Sequence, residues 1–175
     1  YNPPWPYISF NGFDPFSANE ISVAPDTGAI YVATSFGVAI SNDDGASWHI
    51  SPLFGPRDFK VTAVHAQRDG VVLAGGGQGV RRSADGGASW TAPTTAMNGV
   101  HDIHAFGGSP LSARQVFVVD GDGRLSESQD GGDHWALLAT FPLLGNCGGI
   151  TFIRAAPHVV RFRTVGVTLY LSNRC

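Results

Sequence analysis

Three aspartates recur at one position of a repeated stretch, and carboxylates are the first candidates for acid–base or metal chemistry in this chain. The stretches read Ser41-Asn42-Asp43-Asp44-Gly45-Ala46-Ser47-Trp48, Ser83-Ala84-Asp85-Gly86-Gly87-Ala88-Ser89-Trp90 and Ser128-Gln129-Asp130-Gly131-Gly132-Asp133-His134-Trp135. A catalytic pair or a metal site needs its carboxylates to converge on one place, whereas Asp43, Asp85 and Asp130 repeat. They read as turn-forming acceptors of backbone amides, beside Ser41, Ser83 and Ser128. Gly45, Gly87 and Gly132 allow the hairpin turn, and Trp48, Trp90 and Trp135 anchor the strand that follows. Asp120-Gly121-Asp122-Gly123 has the alternating oxygens that open a Ca²⁺ loop, but the later ligands are not in register, so it reads as a plain turn. His49, His65, His101, His104, His134 and His158 include no pair at helical zinc spacing. Cys147, in Gly145-Asn146-Cys147-Gly148-Gly149, is a candidate exposed nucleophile and more simply a turn residue; a bridge to Cys175 stays open. The chain contains no Gly-x-Ser-x-Gly elbow, no phosphate loop opening a helix and no Cys-x-x-Cys. No metal and no cofactor are expected.

The elements that hold these turns are short strands. With 23 Gly, 11 Pro and only 14% charged residues among 175, the composition is that of a turn-rich, helix-poor domain with enough chain for one core. A net charge of −3 offers no basic excess for nucleic acid, and no apolar run reaches the length of a membrane span. The chain begins with Tyr1, so a removed leader or a start within a longer chain is expected. Few lysines favour an extracellular or periplasmic setting.

Periodicity organises the whole. The serines of the repeated stretch lie at 41, 83 and 128, in steps of 42 and 45, and a further step of 44 lands on Ser172. Each period carries the same strand signals. They fall at 21–25, 30–34, 38–42 and 48–53; at 61–67, 71–75, 80–84 and 90–94; at 100–106, 115–120, 124–129 and 135–141; and at 150–155, 159–163 and 167–173. The second strand of each set, such as Val71-Val72-Leu73-Ala74 or Val116-Phe117-Val118-Val119, is continuously apolar and should be buried on both faces. Gly107 to Arg114 is polar and small and should be an exposed loop.

The pattern S-x-D-x-G-x-[ST]-W resembles the Asp-box (BNR) repeat of β-propellers, found in sialidases, xyloglucan-type glycoside hydrolases, sortilin-type receptors and photosystem II assembly factors. His134 departs from it. The resemblance implies an all-β propeller of antiparallel four-stranded blades at about 20–54, 60–95, 100–141 and 149–175, mostly exported relatives, and boxes on one face with functional loops on the other. That layout brings Asp14, Glu20, Arg57, Asp58, Gln78, His101, Asp102 and Asp122 forward as candidate ligand-binding residues. A sialidase would need an arginine triad, an Arg-Ile-Pro signature and a loop tyrosine; Tyr7, Tyr31 and Tyr170 sit inside strand signals. A xyloglucan-type hydrolase would need two loop aspartates flanking sugar and water, for which Asp14 and Asp58 are the pair to consider.

Trp5 stands 36 residues before Ser41, close to the other tryptophan-to-serine steps of 35, 38 and 37. Trp5 to Phe10 is therefore expected to complete the fourth blade as its outer strand, closing a four-bladed ring; the alternative is half of an eight-bladed ring formed by strand swapping, so the chain is a monomer or a strand-swapped homodimer. Three roles follow: a non-catalytic module that binds a glycan or a protein, a fragment of a glycoside hydrolase, or an architectural repeat of a larger surface protein.

Overall fold

In the computed structural model the described residues are 18–51, 53, 60–95, 101–109 and 111–140, together with the backbone of two further strands at 150–157 and 167–173. They form strands and turns, with no helix among them. The first sheet orders β1 (Glu20–Val23), β2 (Ile30–Thr34), β3 (Gly37–Ser41) and β4 (His49–Ser51) as an antiparallel meander. A three-stranded sheet follows: β5 (Val61–Ala66), β6 (Val72–Gly76) and β7 (Gly79–Ser83). The third sheet repeats the four-strand order with β8 (Ile103–Gly108), β9 (Val116–Asp120), β10 (Arg124–Ser128) and β11 (Ala136–Thr140).

Two expected strands come out differently. The outer strand at 90–94 is reduced to one bridge, Thr91 with Arg82, because Pro93 has no N–H to donate to a ladder. Thr94 and Thr95 bond instead to Asp133 of the next sheet. In the last repeat β12 (Ile150–Pro157) pairs directly with β13 (Val167–Asn173) as an antiparallel pair, from Ile150 opposite Asn173 to Pro157 opposite Val167. The 167–173 strand thus holds the place of a second strand, not a third. The expected strand at 159–163 and the closing strand Trp5 to Phe10 lie outside the described residues.

First strands adjoin one another in series, β1 beside β5, β5 beside β8 and β8 beside β12. The core is accordingly sandwiched between sheets. Val72 and Ala74 of β6 join Tyr31, Val38, Ile40, Val61 and Val64 in one cluster. Leu73, between them, turns to the other face and joins Val80, Ile103, Phe106, Val116, Val118 and Trp135 in a second. One apolar strand thus feeds two cores through its period of two. The expectation for the second strands holds for β6 and β9, where Val72 to Ala74 and Val116 to Val119 are all at most 1% exposed, and not for β2, whose Ile30 and Val32 are half-buried. The loop after β8 begins later than expected, since Gly107 and Gly108 still belong to the strand; residues 111–114 are exposed.

Side chains of one sheet satisfy backbone groups on the edge of the next. From the first sheet Asn19 Nδ2 donates to Val61 O (2.7 Å), Glu20 Oε2 accepts from Val64 N (2.8 Å), Ser22 Oγ accepts from Ala66 N (3.0 Å) and Asp26 Oδ2 accepts from Asp69 N (2.7 Å). From the second, Thr62 Oγ1 donates to Ile103 O. An open strand edge is thereby covered without a further strand.

Candidate functional site

The three box turns share one hydrogen-bond pattern. The serine hydroxyl donates to the aspartate (Ser41 to Asp43 Oδ1, 2.9 Å; Ser83 to Asp85, 2.7 Å; Ser128 to Asp130, 2.9 Å) and accepts from the glycine amide four residues on. The same carboxylate accepts the backbone amide of Ser47, Ser89 or His134. Its other oxygen takes the Ser47 or Ser89 hydroxyl at 2.5 Å and, in the third turn, the His134 imidazole at 2.7 Å. The ring of His134 therefore does the work of the missing hydroxyl. Donors so arranged favour the ionised acid. Bonds from Ser89 above all hold Asp85 down to about 2; for Asp130 partial burial pulls upward, but the bonds from His134 and Ser128 outweigh it and leave it at about 2.

Trp48 and Trp135 close their turns by donating Nε1–H to Gly45 O (3.0 Å) and Gly132 O (2.9 Å). Trp90 differs. Its Nε1 donates to Ser51 Oγ of the preceding sheet (2.9 Å), and Ser51 in turn donates to Gly87 O (2.5 Å). Asp133, which the spacing does not single out, accepts Thr94 N (3.1 Å) and Thr94 Oγ1 (2.8 Å). Asp130, Asp133 and His134 present potential ligand atoms within 4.8 Å of one another, and all three are already engaged in these turn and inter-sheet bonds.

Sheet registers place Glu20, Gln78, His101, Asp102 and Asp122 at the opposite end. Glu20, Val61 and Ile103 at the starts of first strands lie beside Ala33, Gly76 and Asp120 at the ends of second strands, whereas the boxes follow the ends of β3, β7 and β10. Asp102 and Asp122 come together around the β9–β10 turn. A Cβ placed on Gly121 would lie 2.8 Å from Asp102 Oδ2 and 3.1 Å from His104 Nε2. Asp102 Oδ2 is 3.4 Å from His104 Nε2, and Arg124 Nη1 is 2.9 Å from Asp122 Oδ2 and 3.3 Å from Asp120 Oδ2. Asp120, wholly buried, shapes the turn by accepting Asp122 N (3.0 Å) and Arg124 N (2.8 Å) on one oxygen. His101 is exposed just before β8, and Gln78 is exposed in the β6–β7 turn. Arg124 is the residue that the sequence reading leaves out, and His104 and Asp120, weighed there only as metal ligands, join it here; an Asp four residues before an Arg across a glycine turn is the signal for the Asp120–Arg124 pair. Asp14, Arg57 and Asp58 lie outside the described residues, as do Cys147 and Cys175.

Glu20 is placed differently from a loop ligand. It is lodged between β1 and β5, and burial pushes its carboxyl up to about 7, with the Val64 amide pulling the other way. An acid whose folded pKa is raised above its unfolded value near 4.5 loses stability as pH climbs from that value to about 7, where the buried form must ionise. Glu20→Gln keeps an oxygen for Val64 and removes the ionisation. We expect the variant to match the parent at pH 4 and to exceed it by about 1–2 kcal/mol at pH 8 in urea unfolding; an unchanged difference across that range would place the titration elsewhere.

No family model matches the chain, and no curated protein matches it. Solved structures do. YCF48 bound to a D1 peptide aligns with a TM-score of 0.54 at 16% identity, over 70% of this chain and 39% of that one. An ancestral GH74 enzyme aligns at 0.61 and 19% identity over 80% of this chain, and the GH74 xyloglucanase of Xanthomonas campestris at 0.59 and 20% over 94%. This chain spans 20% and 23% of those two enzymes' lengths. The sheets described above thus have the β-propeller fold, and the chain spans well under half the length of each of these propellers.

Proposed function

We propose that this chain is a non-catalytic propeller module that binds a glycan or a protein partner through the end opposite the box turns, the turns themselves being structural Asp boxes. The observation that carries this reading is the charge pairing at the β9–β10 turn. Asp120 and Asp122 share Arg124, and Asp102 faces His104. Paired groups of this kind offer oriented donors and acceptors for recognition, whereas hydrolysis asks for one free acid and one free base. The D1 peptide bound to YCF48 is in keeping with such a role. We read the setting as extracellular or periplasmic, and the assembly as a monomer or a strand-swapped dimer.

The length of chain aligned with the two GH74 enzymes favours a second reading, a hydrolase fragment with Asp14 and Asp58 as its acid and base. Glycan and peptide arrays, run beside a reducing-sugar assay on β-glucan oligosaccharides, separate the two. Binding without turnover, weakened about tenfold by Asp102→Asn with Asp122→Asn, is the expected result. Turnover lost in Asp14→Asn or Asp58→Asn would establish the hydrolase instead.

A further inference from the structure

A second concave site lies at the box end, between the second and third sheets. Its volume is about 120 Å³, and Arg68, Arg82 and Arg114 line it with Asp69, Asp130 and Gly131. The three arginines come from three segments: the β5–β6 turn, β7, and the loop between β8 and β9. The peptide groups of Gly131 organise two of them. Its N–H donates to Arg114 O (2.8 Å), and its carbonyl accepts from Arg82 Nε (3.1 Å). The Arg114 loop is tied down further by Ser109 N to Gln115 O (3.0 Å), Gln115 N to Ser112 O (3.2 Å) and Gln115 Nε2 to Glu127 Oε1 (2.7 Å).

The two carboxylates of the pocket do not neutralise this charge by contact. Asp130 is spent inside its own turn, one oxygen on Ser128 Oγ and the amides of Asp133 and His134, the other on the His134 ring. Among the described residues no carboxylate lies within ion-pair distance of Arg68, Arg82 or Arg114. Arg68 and Arg82 act on Asp26 and Asp133 only at longer range. Three cations held around one small volume repel one another and favour a shared counter-anion, and guanidinium forks suit the oxygens of a carboxylate or a phosphate.

We propose that this pocket is an oxyanion site, receiving one carboxylate or phosphate group of a ligand at the box end of the sheets. A volume of about 120 Å³ admits one such group. Asp69 in the lining and the chain's net charge of −3 select a single anionic group over an extended polyanion. The site is separate from the opposite end and stands or falls independently of the module reading.

The test is a titration of ¹⁵N-labelled protein with sodium phosphate and, separately, sodium acetate, with ionic strength held constant by chloride. Saturable shifts at the Gly131 and Arg114 amides are expected, and the anion that saturates first identifies the ligand group. Arg114→Gln and Arg68→Gln should each weaken the response about fivefold with an unchanged Tm; Arg82 is left in place because it braces Gly131. Asp69→Asn should tighten binding, an effect that a purely structural role would not produce. Shifts that stay linear, spread over the surface, or persist in the Arg68→Gln/Arg114→Gln double variant would overturn the proposal.

Discussion

Gly132→Ala should lower stability by about 2–5 kcal/mol in urea unfolding. Two terms add. Gly132 has φ +93, a left-handed backbone that an L side chain adopts at a cost of roughly 1–2 kcal/mol. Its Cβ would also overlap the side chain of Leu73, which is fully buried in the second core cluster, and overpacking costs about 1–3 kcal/mol. Gly28→Ala separates the terms, because Gly28 has φ +76 but open space around its Cβ position. Gly28→Ala should show the backbone cost alone. Equal losses in the two variants would mean that the packing of the third box on β6 contributes nothing.

Asp120→Ala should cost about 2–4 kcal/mol and should also abolish ligand binding at the β9–β10 end. The side chain is wholly buried, bonds two turn amides and lies against Arg124. Alanine leaves both amides without their acceptor and removes one of the carboxylates beside Arg124. Asp120→Asn retains an oxygen for the amides and loses the charge, so about half the effect is expected. Denaturation midpoints and binding of an array-identified ligand are the readouts. An alanine variant with the parental midpoint would show that the turn does not depend on Asp120.

The box turns were legible because their chemistry is local. Serine, aspartate and glycine within eight residues specify the bonds that the serine hydroxyl and the carboxylate make in each turn, and even His134 reproduces the hydroxyl's bond to Asp130. Strands β6 and β9 were legible because burial on both faces leaves an unbroken apolar run. What spacing could not supply were contacts between sheets. Glu20 looked like a loop carboxylate and bonds Val64, 44 residues away; Trp90 looked like its two counterparts and bonds Ser51, 39 residues back. Arg68 and Arg114 did leave a trace, since both stand between the first and second strands of successive repeats, 46 residues apart.

The stitches from Asn19, Glu20, Ser22 and Asp26 to the edge of β5, with those from Ser51, Thr62, Arg82 and Thr94 to the sheet that follows or its turn, all join sequence neighbours among sheets. Cooperativity among sheets stitched in this way is that of coupled neighbours, where each unit is held by what adjoins it. Loosening one sheet then lowers the protection of the sheets beside it, so damage propagates by adjacency.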